Sequence, residues 1–270
     1  MKNFLSTILC IVITVITASG QSEVAVPLTD PLKRCKIKVH INYGSITIKG
    51  TARKDVLVKY SQEDEDQSDQ DNRKVSHAGE GLKRIGNGGL DLEISEDANL
   101  VKIQSSSWSK KVNLILEIPS GADVGAHTYN DGDLIVSNVQ GELELNDYNG
   151  SISAENISGS VVATSYNGEI KVTFDKVTEG TPMSFSTFNG EIDLTFPASL
   201  KATFKMKTDQ GEILSSFDMK VVKNGPVQKK ETKGGVYKVV IDEWVKGEVN
   251  GGGPELTMKT YNGDIIIRKK

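Results

Sequence analysis

The chain has few of the residues that cross-link a fold. Its 270 residues include two cysteines, Cys10 and Cys35, and the three histidines, His40, His77 and His127, have no metal-ligand spacing such as His-x-x-x-His. If Cys10 is removed with a signal peptide, Cys35 cannot form an internal disulfide. We interpret Cys35 as a buried small hydrophobe, with an intermolecular disulfide or a reactive thiol as alternatives.

Enzyme motifs are also missing. The sequence contains no Gly-x-Ser-x-Gly motif, phosphate-binding loop or dinucleotide fingerprint. The formal net charge is −4, and lysines alternate with acids, so no basic face for nucleic acid is predicted. We therefore expect a non-enzymatic chain with no catalytic residues, metal or cofactor.

Apolar runs long enough to span a bilayer are missing as well. The longest, from Phe4 to Ile16, has 13 residues, whereas about 20 are needed. It follows Lys2 and precedes the small residues Ala18-Ser19-Gly20, an arrangement typical of a signal peptide over residues 1–20. We predict export, with a retained N-terminal anchor as the alternative, and a linker over 21–34.

Residues 61–89 contain an acidic segment. Six carboxylates lie between Glu63 and Asp71, and the next apolar residue is Val75. This composition predicts a mobile loop, because so few apolar side chains cannot offset the entropy of ordering. Calcium binding is the weaker reading, since the mid-loop glycine and terminal glutamate of an EF-hand are missing.

Glycine, in contrast, is regular. Gly132, Gly141, Gly150, Gly159 and Gly168 are nine residues apart, and alternating apolar residues follow each one. A fixed period is typical of repeat architectures. We predict one all-β domain over 35–270, a β-helix-like solenoid of short strands with Asn-Gly corners, strict repeats at 124–174 and a cap region at 236–270. An antiparallel β-meander or sandwich is the alternative, because Asn-Gly also suits hairpin turns.

The corners repeat in residue identity, which favours the solenoid because each coil then packs on its own copy. The isoleucines after the corners should form one core ladder: Ile152, Ile170, Ile192, Ile213 and Ile265. The aromatic residues before the Asn-Gly corners should point the opposite way and stay partly exposed: Tyr148, Tyr166, Phe188 and Tyr261. These four are the candidate binding residues, although packing on each other to shield the turns is the interpretation that the sequence favours.

The run from Leu116 to Val124, the Asn-Gly-Glu/Asp-Ile repeats, and Asn250–Gly253 ahead of Thr260–Ile265 resemble a large bacterial family of "putative adhesin" domains. The resemblance extends from Ile37 to the C-terminus. It implies a β-helix-like solenoid in exported or envelope-associated proteins, without established catalytic residues.

We therefore expect an exported, periplasmic or cell-envelope repeat protein that binds polysaccharide, another protein or its own copies. A polysaccharide-degrading enzyme on the same scaffold and a purely structural envelope component are the alternatives. For the enzyme, a carboxylate group would have to come from Asp131, Asp133, Glu142 and Asp147, which at turns are more often solvated surface.

Overall fold

The computed structural model describes residues 22–63, 91–178, 180–223, 227–233, 236–242 and 244–270. The predicted signal peptide and residues 64–89 of the predicted acidic loop lie outside these residues, as does His77. No helix in the described part of the chain is long and apolar enough to cross a membrane. Secondary structure there is β, because apolar residues alternate between turns and bury one face of each strand.

The strands are short and closely spaced. Those described are β1 (Ser22–Pro27), β2 (Lys36–Ile41), β3 (Ile46–Thr51), β4 (Asp55–Glu63), β5 (Glu93–Asp97), β6 (Leu100–Ser105), β7 (Lys111–Pro119), β8 (Asp123–Thr128), β9 (Leu134–Ser137), β10 (Leu143–Asp147), β11 (Ile152–Ile157), β12 (Val161–Ser165), β13 (Ile170–Phe174), β14 (Met183–Ser186), β15 (Ile192–Phe196), β16 (Ala202–Gln210), β17 (Ile213–Ser215), β18 (Lys220–Lys223), β19 (Val227–Lys233), β20 (Val236–Asp242), β21 (Val245–Val249), β22 (Glu255–Asn262) and β23 (Ile265–Lys269).

From β6 to β18, successive strands alternate between two sheets. The first sheet has the order β1-β4-β7-β3-β9-β11-β13-β15-β23-β17, and the second has β18-β21-β16-β22-β14-β12-β10-β8-β2-β6-β5. Within the repeats every neighbouring pair is parallel, as β10 with β12 and β11 with β13. A meander would need antiparallel neighbours, so the predicted solenoid is confirmed.

The core lies between the two sheets. Ile152 pairs with Ile170, Ile170 with Ile192, Ile192 with Ile265, and Ile265 with Ile213, which confirms the predicted isoleucine ladder. Four large phenylalanines of the core are fully buried as well: Phe174, Phe185, Phe196 and Phe204. In-register stacking of like residues explains why the sequence repeats.

The coils do not stack in the order of the sequence. The coil β2–β3 lies between β6–β7 and β8–β9, and the coil β22–β23 lies between β14–β15 and β16–β17. The first and the last coils in sequence order, β2–β3 and β22–β23, are therefore each inserted one coil inside the stack. Both inserted coils are held by neighbours distant in sequence, an arrangement typical of slow-folding topologies.

Antiparallel strands cover the two ends of the stack. At one end β4 and β1 extend the first sheet beyond β7, and β5 pairs with β6 in the second. At the other end β21 and β18 extend the second sheet beyond β16. Such strands protect the open edges of a solenoid. Of the region 236–270, β21 belongs to this cap, whereas β22 and β23 form an internal coil; β19 and β20 form a separate two-stranded sheet.

Candidate functional site

Five aromatic rings form a column along one edge of the solenoid. Each ring lies within two residues of the end of a strand of the second sheet, at the corner where the chain crosses to the first sheet. Neighbouring ring centroids are 4.6, 4.8, 5.1 and 4.9 Å apart, and neighbouring planes differ by only 3–5°. We call this column the aromatic ladder: Tyr129, Tyr148, Tyr166, Phe188 and Tyr261. The structure thus brings together the four aromatic residues singled out from the sequence.

The aromatic ladder presents ring edges to solvent, because its faces cover one another. The four predicted rings are each 38–42% exposed. Trp108 closes one end, with its ring edge-on to Tyr129 at 5.1 Å and 78°, and it is itself 59% exposed. The result is a straight stripe, roughly 19 Å long since neighbouring strands are about 4.8 Å apart.

Sequence reasoning missed Tyr129 and Trp108. An extra residue, Asp131, separates Asn130 from Gly132, so Tyr129 does not precede an Asn-Gly pair. Trp108 belongs to a coil outside the strict repeat. The spacing of Tyr129, nineteen residues before Tyr148, was the available signal.

A column of asparagines runs beside the aromatic ladder. The side-chain amide of Asn149 donates to Oδ1 of Asn130, that of Asn167 to Asn149, and that of Asn189 to Asn167, each at 2.9 Å. These bonds fix the corners in register. They also keep the rings of successive coils directly above one another.

A second column, of buried hydroxyls, lies inside the same corner. Each hydroxyl donates to the carbonyl oxygen of a corner glycine in the neighbouring coil, at 2.8–3.1 Å. The donors are Thr128, Ser165, Thr187, Thr208 and Thr260. They satisfy carbonyls that would otherwise be buried without partners.

Asp147 breaks this column. Asp147 is the last residue of β10, the position that Thr128 occupies in β8 and Ser165 in β12. It is 4% exposed, yet neither of its carboxylate oxygens has a hydrogen-bond partner within the described residues. Burial raises the pKa of Asp147 to about 7, and the nearby Asp133 carboxylate acts in the same direction. The backbone amide of Gly150 opposes this shift without reaching hydrogen-bond geometry. Asp147 therefore holds a proton in the fold through most of the acidic range.

The four carboxylates considered for catalysis do not form one group. Asp131 pairs with Lys111 at 3.2 Å, Asp133 accepts the Ser151 amide at 2.9 Å, and Asp147 is buried. Glu142 lies at the opposite corner, before β10. In the described ranges no cluster of three or more histidine, cysteine or acidic side chains is placed to hold a metal ion.

Cys35 is buried, as expected, and burial raises the pKa of its thiol. His40 and His127, 87 residues apart in sequence, are neighbours on the outer face of the second sheet, with ring centroids 4.7 Å apart. The parallel pairing of β2 with β8 brings them together, which spacing along the chain does not reveal.

The two sheets, the inward ladders and the capped ends define an all-β solenoid-like protein. This chain belongs to the Toastrack DUF4097 family, whose model matches residues 13–250. Among curated proteins none matches the chain.

Two solved structures are similar in shape. One is a putative cell adhesion protein from Clostridium sporogenes, with 12% identity and a TM-score of 0.46 over 93% of this chain and 100% of that one. The other is a putative adhesin from Bacteroides fragilis, with 10% identity and a TM-score of 0.36 over 94% of this chain and 98% of that one.

Proposed function

We propose that this chain is a non-enzymatic, exported or cell-envelope adhesion module that uses the aromatic ladder as its contact surface. The observation that carries the proposal is the continuous exposed stripe of five rings and Trp108. Tyrosine and tryptophan are enriched among the residues that dominate binding energies, because each combines a large apolar area with a polar group. A stripe fixed by the asparagine column also loses little entropy on binding.

The covered ring faces favour a protein partner over a polysaccharide. Sugars bind aromatic residues by lying flat on a ring face, and within the aromatic ladder each internal face is occupied by the next ring. Ring edges and tyrosine hydroxyls remain available, and these suit the mixed apolar and polar surface of a protein.

Two other functions compete with this proposal. A polysaccharide-degrading enzyme would need grouped carboxylates, and the four considered are dispersed or buried. A purely structural envelope component would use the rings only to pack the corners. The structural role and the binding role differ in whether ring edges contact another molecule.

Changing the ring edges should therefore weaken partner binding. We expect Tyr166→Ala to reduce affinity for envelope protein about tenfold or more, because a central aromatic contact is worth roughly 1–2 kcal/mol or more. Saturable binding of the mature chain to solubilised envelope proteins, followed by biolayer interferometry, measures this.

Val162→Ala is the matched control, because Val162 is 44% exposed on the second sheet but lies outside the aromatic ladder. It should bind like the wild type. Equal affinity in both variants would leave the rings a packing role only. If the chain binds to a glycan array and to no envelope protein, its partner is a polysaccharide. If it degrades any polymer, it is an enzyme.

A further inference from the structure

A group of basic side chains lies on the outer face of the second sheet, near the Trp108 end of the aromatic ladder. Lys38 is flanked by Lys102 on one side and by Gly125 on the other, in register across three parallel strands. Two residues further along the same strands, His40 pairs with His127. We call this group, with Lys36, the basic notch: Lys36, Lys38, His40, Lys102 and His127 around Gly125.

Gly125 gives the basic notch its shape. A Cβ placed on Gly125 would meet nothing within 4 Å, so no packing requirement explains the glycine. The missing side chain opens a hollow of about 340 Å³ between the lysines, the histidines and Asn146. A hollow of this size accommodates a carboxylate, sulfate or phosphate group.

The charges of the basic notch are not neutralised within the described part of the chain. Neither Lys36, Lys38 nor Lys102 forms an ion pair there, although Lys38 and Lys102 are direct neighbours. Glu144 is the one acid lining the hollow. Adjacent like charges repel each other and destabilise a sheet. An anion bound between the lysines would reduce this repulsion. This concentration of positive charge stands out in a chain of net charge −4.

The basic notch and the aromatic ladder share one surface. His127 precedes Tyr129 by two residues, so both side chains point outward from the second sheet and are about 7 Å apart along the strand. We propose that the basic notch binds the carboxylates of an acidic protein segment on the partner that contacts the aromatic ladder. This inference rests on the proposed function and adds the charge of the partner.

Acidic residues at the other end of the stack determine how an acidic partner segment is oriented on this surface. Glu169, Glu191 and Asp264 follow the corner glycines of coils farther along the stack, on the first-sheet side. Burial, followed by the charges of Asp193, Glu169 and Asp264, raises the pKa of Glu191. An acidic segment therefore avoids that end and is directed to the basic notch.

His127 makes the basic notch sensitive to pH. Burial, and then the charge of His40, lower the pKa of His127. The lowered pKa leaves His127 uncharged near neutral pH, so the lysines supply the positive charge of the basic notch; Glu144 on β10 lines the same hollow, and Glu93 on β5 is occupied by Gln104. Protonation of His127 on acidification adds positive charge to the basic notch, so binding should tighten as the pH falls below the ordinary histidine pKa of 6.5.

Poly-L-glutamate is the probe that tests the basic notch, with polygalacturonate and neutral dextran as comparison polymers. We expect saturable binding of polyglutamate by the mature chain, weakened about 5- to 20-fold in Lys38→Ala/Lys102→Ala, because several weak exposed charge pairs are lost together. Gly125→Thr should weaken it similarly by filling the hollow without altering charge. Lys49→Ala/Lys171→Ala is the control, because it removes the same charge from the outer face of the first sheet.

The outcomes separate this proposal from the previous one. Tyr166→Ala should keep polyglutamate affinity within about twofold, because the carboxylates contact the basic notch. Undetectable polyglutamate binding, or equal losses in the notch and control variants, would overturn the proposal that the basic notch binds carboxylates. Neither result would bear on the aromatic ladder, which the partner-binding experiment with Tyr166→Ala tests. Binding of polygalacturonate without polyglutamate would overturn the protein segment and assign an acidic polysaccharide.

Discussion

Asp147→Thr should stabilise the fold at pH 8 by a few kcal/mol. Threonine supplies the hydroxyl that Thr128, Thr187 and Thr260 use at the equivalent positions. Its acceptor would be the carbonyl of Gly132, the corner glycine against which Gly150 and Asp147 pack. The substitution replaces an unsatisfied buried carboxylate by a satisfied hydroxyl, and an unsatisfied buried charge is among the most costly features of a folded protein.

The pH dependence has a definite sign. The folded-state pKa of Asp147 is raised from 3.8 to about 7, so below pH 4 the carboxyl is protonated in both the folded and the unfolded chain. Between pH 4 and pH 7 the unfolded chain loses the proton first. Stability contributed by this residue therefore falls as pH rises, by up to about 1.4 kcal/mol per pH unit, and stays constant above pH 7.

Urea unfolding of the wild type and Asp147→Thr at pH 4, 5.5, 7 and 8 measures this effect. Carboxylates whose pKa is lowered, such as Glu96 and Glu117, impose the opposite slope but are the same in both proteins, so the difference isolates Asp147. Asp147→Asn, which keeps the shape and removes the charge, should abolish the same slope. A stability difference independent of pH would show that Asp147 is ionised in the fold.

Gly168→Ala should prevent the coils from stacking and cost more than about 3 kcal/mol, since the clash is with backbone in a close-packed interior. A Cβ on Gly168 would lie 1.9 Å from the carbonyl oxygen of Gly150. The oxygen cannot retreat, because strand pairing and the asparagine column set the separation of the coils on both sides. Loss of cooperative thermal unfolding in the variant is the expected result.

Gly121→Ala is the matched control for Gly168→Ala. A Cβ there would meet nothing within 4 Å, and the residue has no left-handed conformation. The control should change the free energy of unfolding by less than about 0.5 kcal/mol, as surface substitutions usually do. A native-like melting temperature for Gly168→Ala would contradict the close corner spacing.

The repeat determined most of what could be predicted about the fold. Identical residues at equal spacing must stack if the strands are parallel, so the isoleucine ladder and the alignment of Tyr148, Tyr166 and Phe188 followed from the sequence. The physical reason for glycine at the corners could be predicted only in part from the sequence. Asn-Gly pairs are typical of turns with positive φ. At Gly150 and Gly168, however, the requirement is close approach of the neighbouring coil, and Asn138 and Asn156 at the opposite corner have positive φ, of 59° and 56°.

The features that sequence could not predict depend on pairing between distant segments. Nothing in the spacing indicates that β22–β23 lies between β14–β15 and β16–β17, since an end coil and an inserted coil bury the same face. The contact of His40 with His127 and the hollow over Gly125 depend on the similar insertion of β2–β3. In the sequence Asp147 resembles the other carboxylates at turns, and only the structure shows that it occupies a position in the buried hydroxyl column.

Site-specific photo-crosslinking tests most directly whether the aromatic ladder is a contact surface. A benzoylphenylalanine at position 166 keeps an aromatic ring in the stripe, and the same group at position 162 lies on the same coil outside it. With the protein expressed in intact cells, we predict a discrete crosslinked partner from position 166 and little or none from position 162. Crosslinks that are equal at both positions, or missing at 166 in a correctly folded variant, would contradict the proposed role of the aromatic ladder.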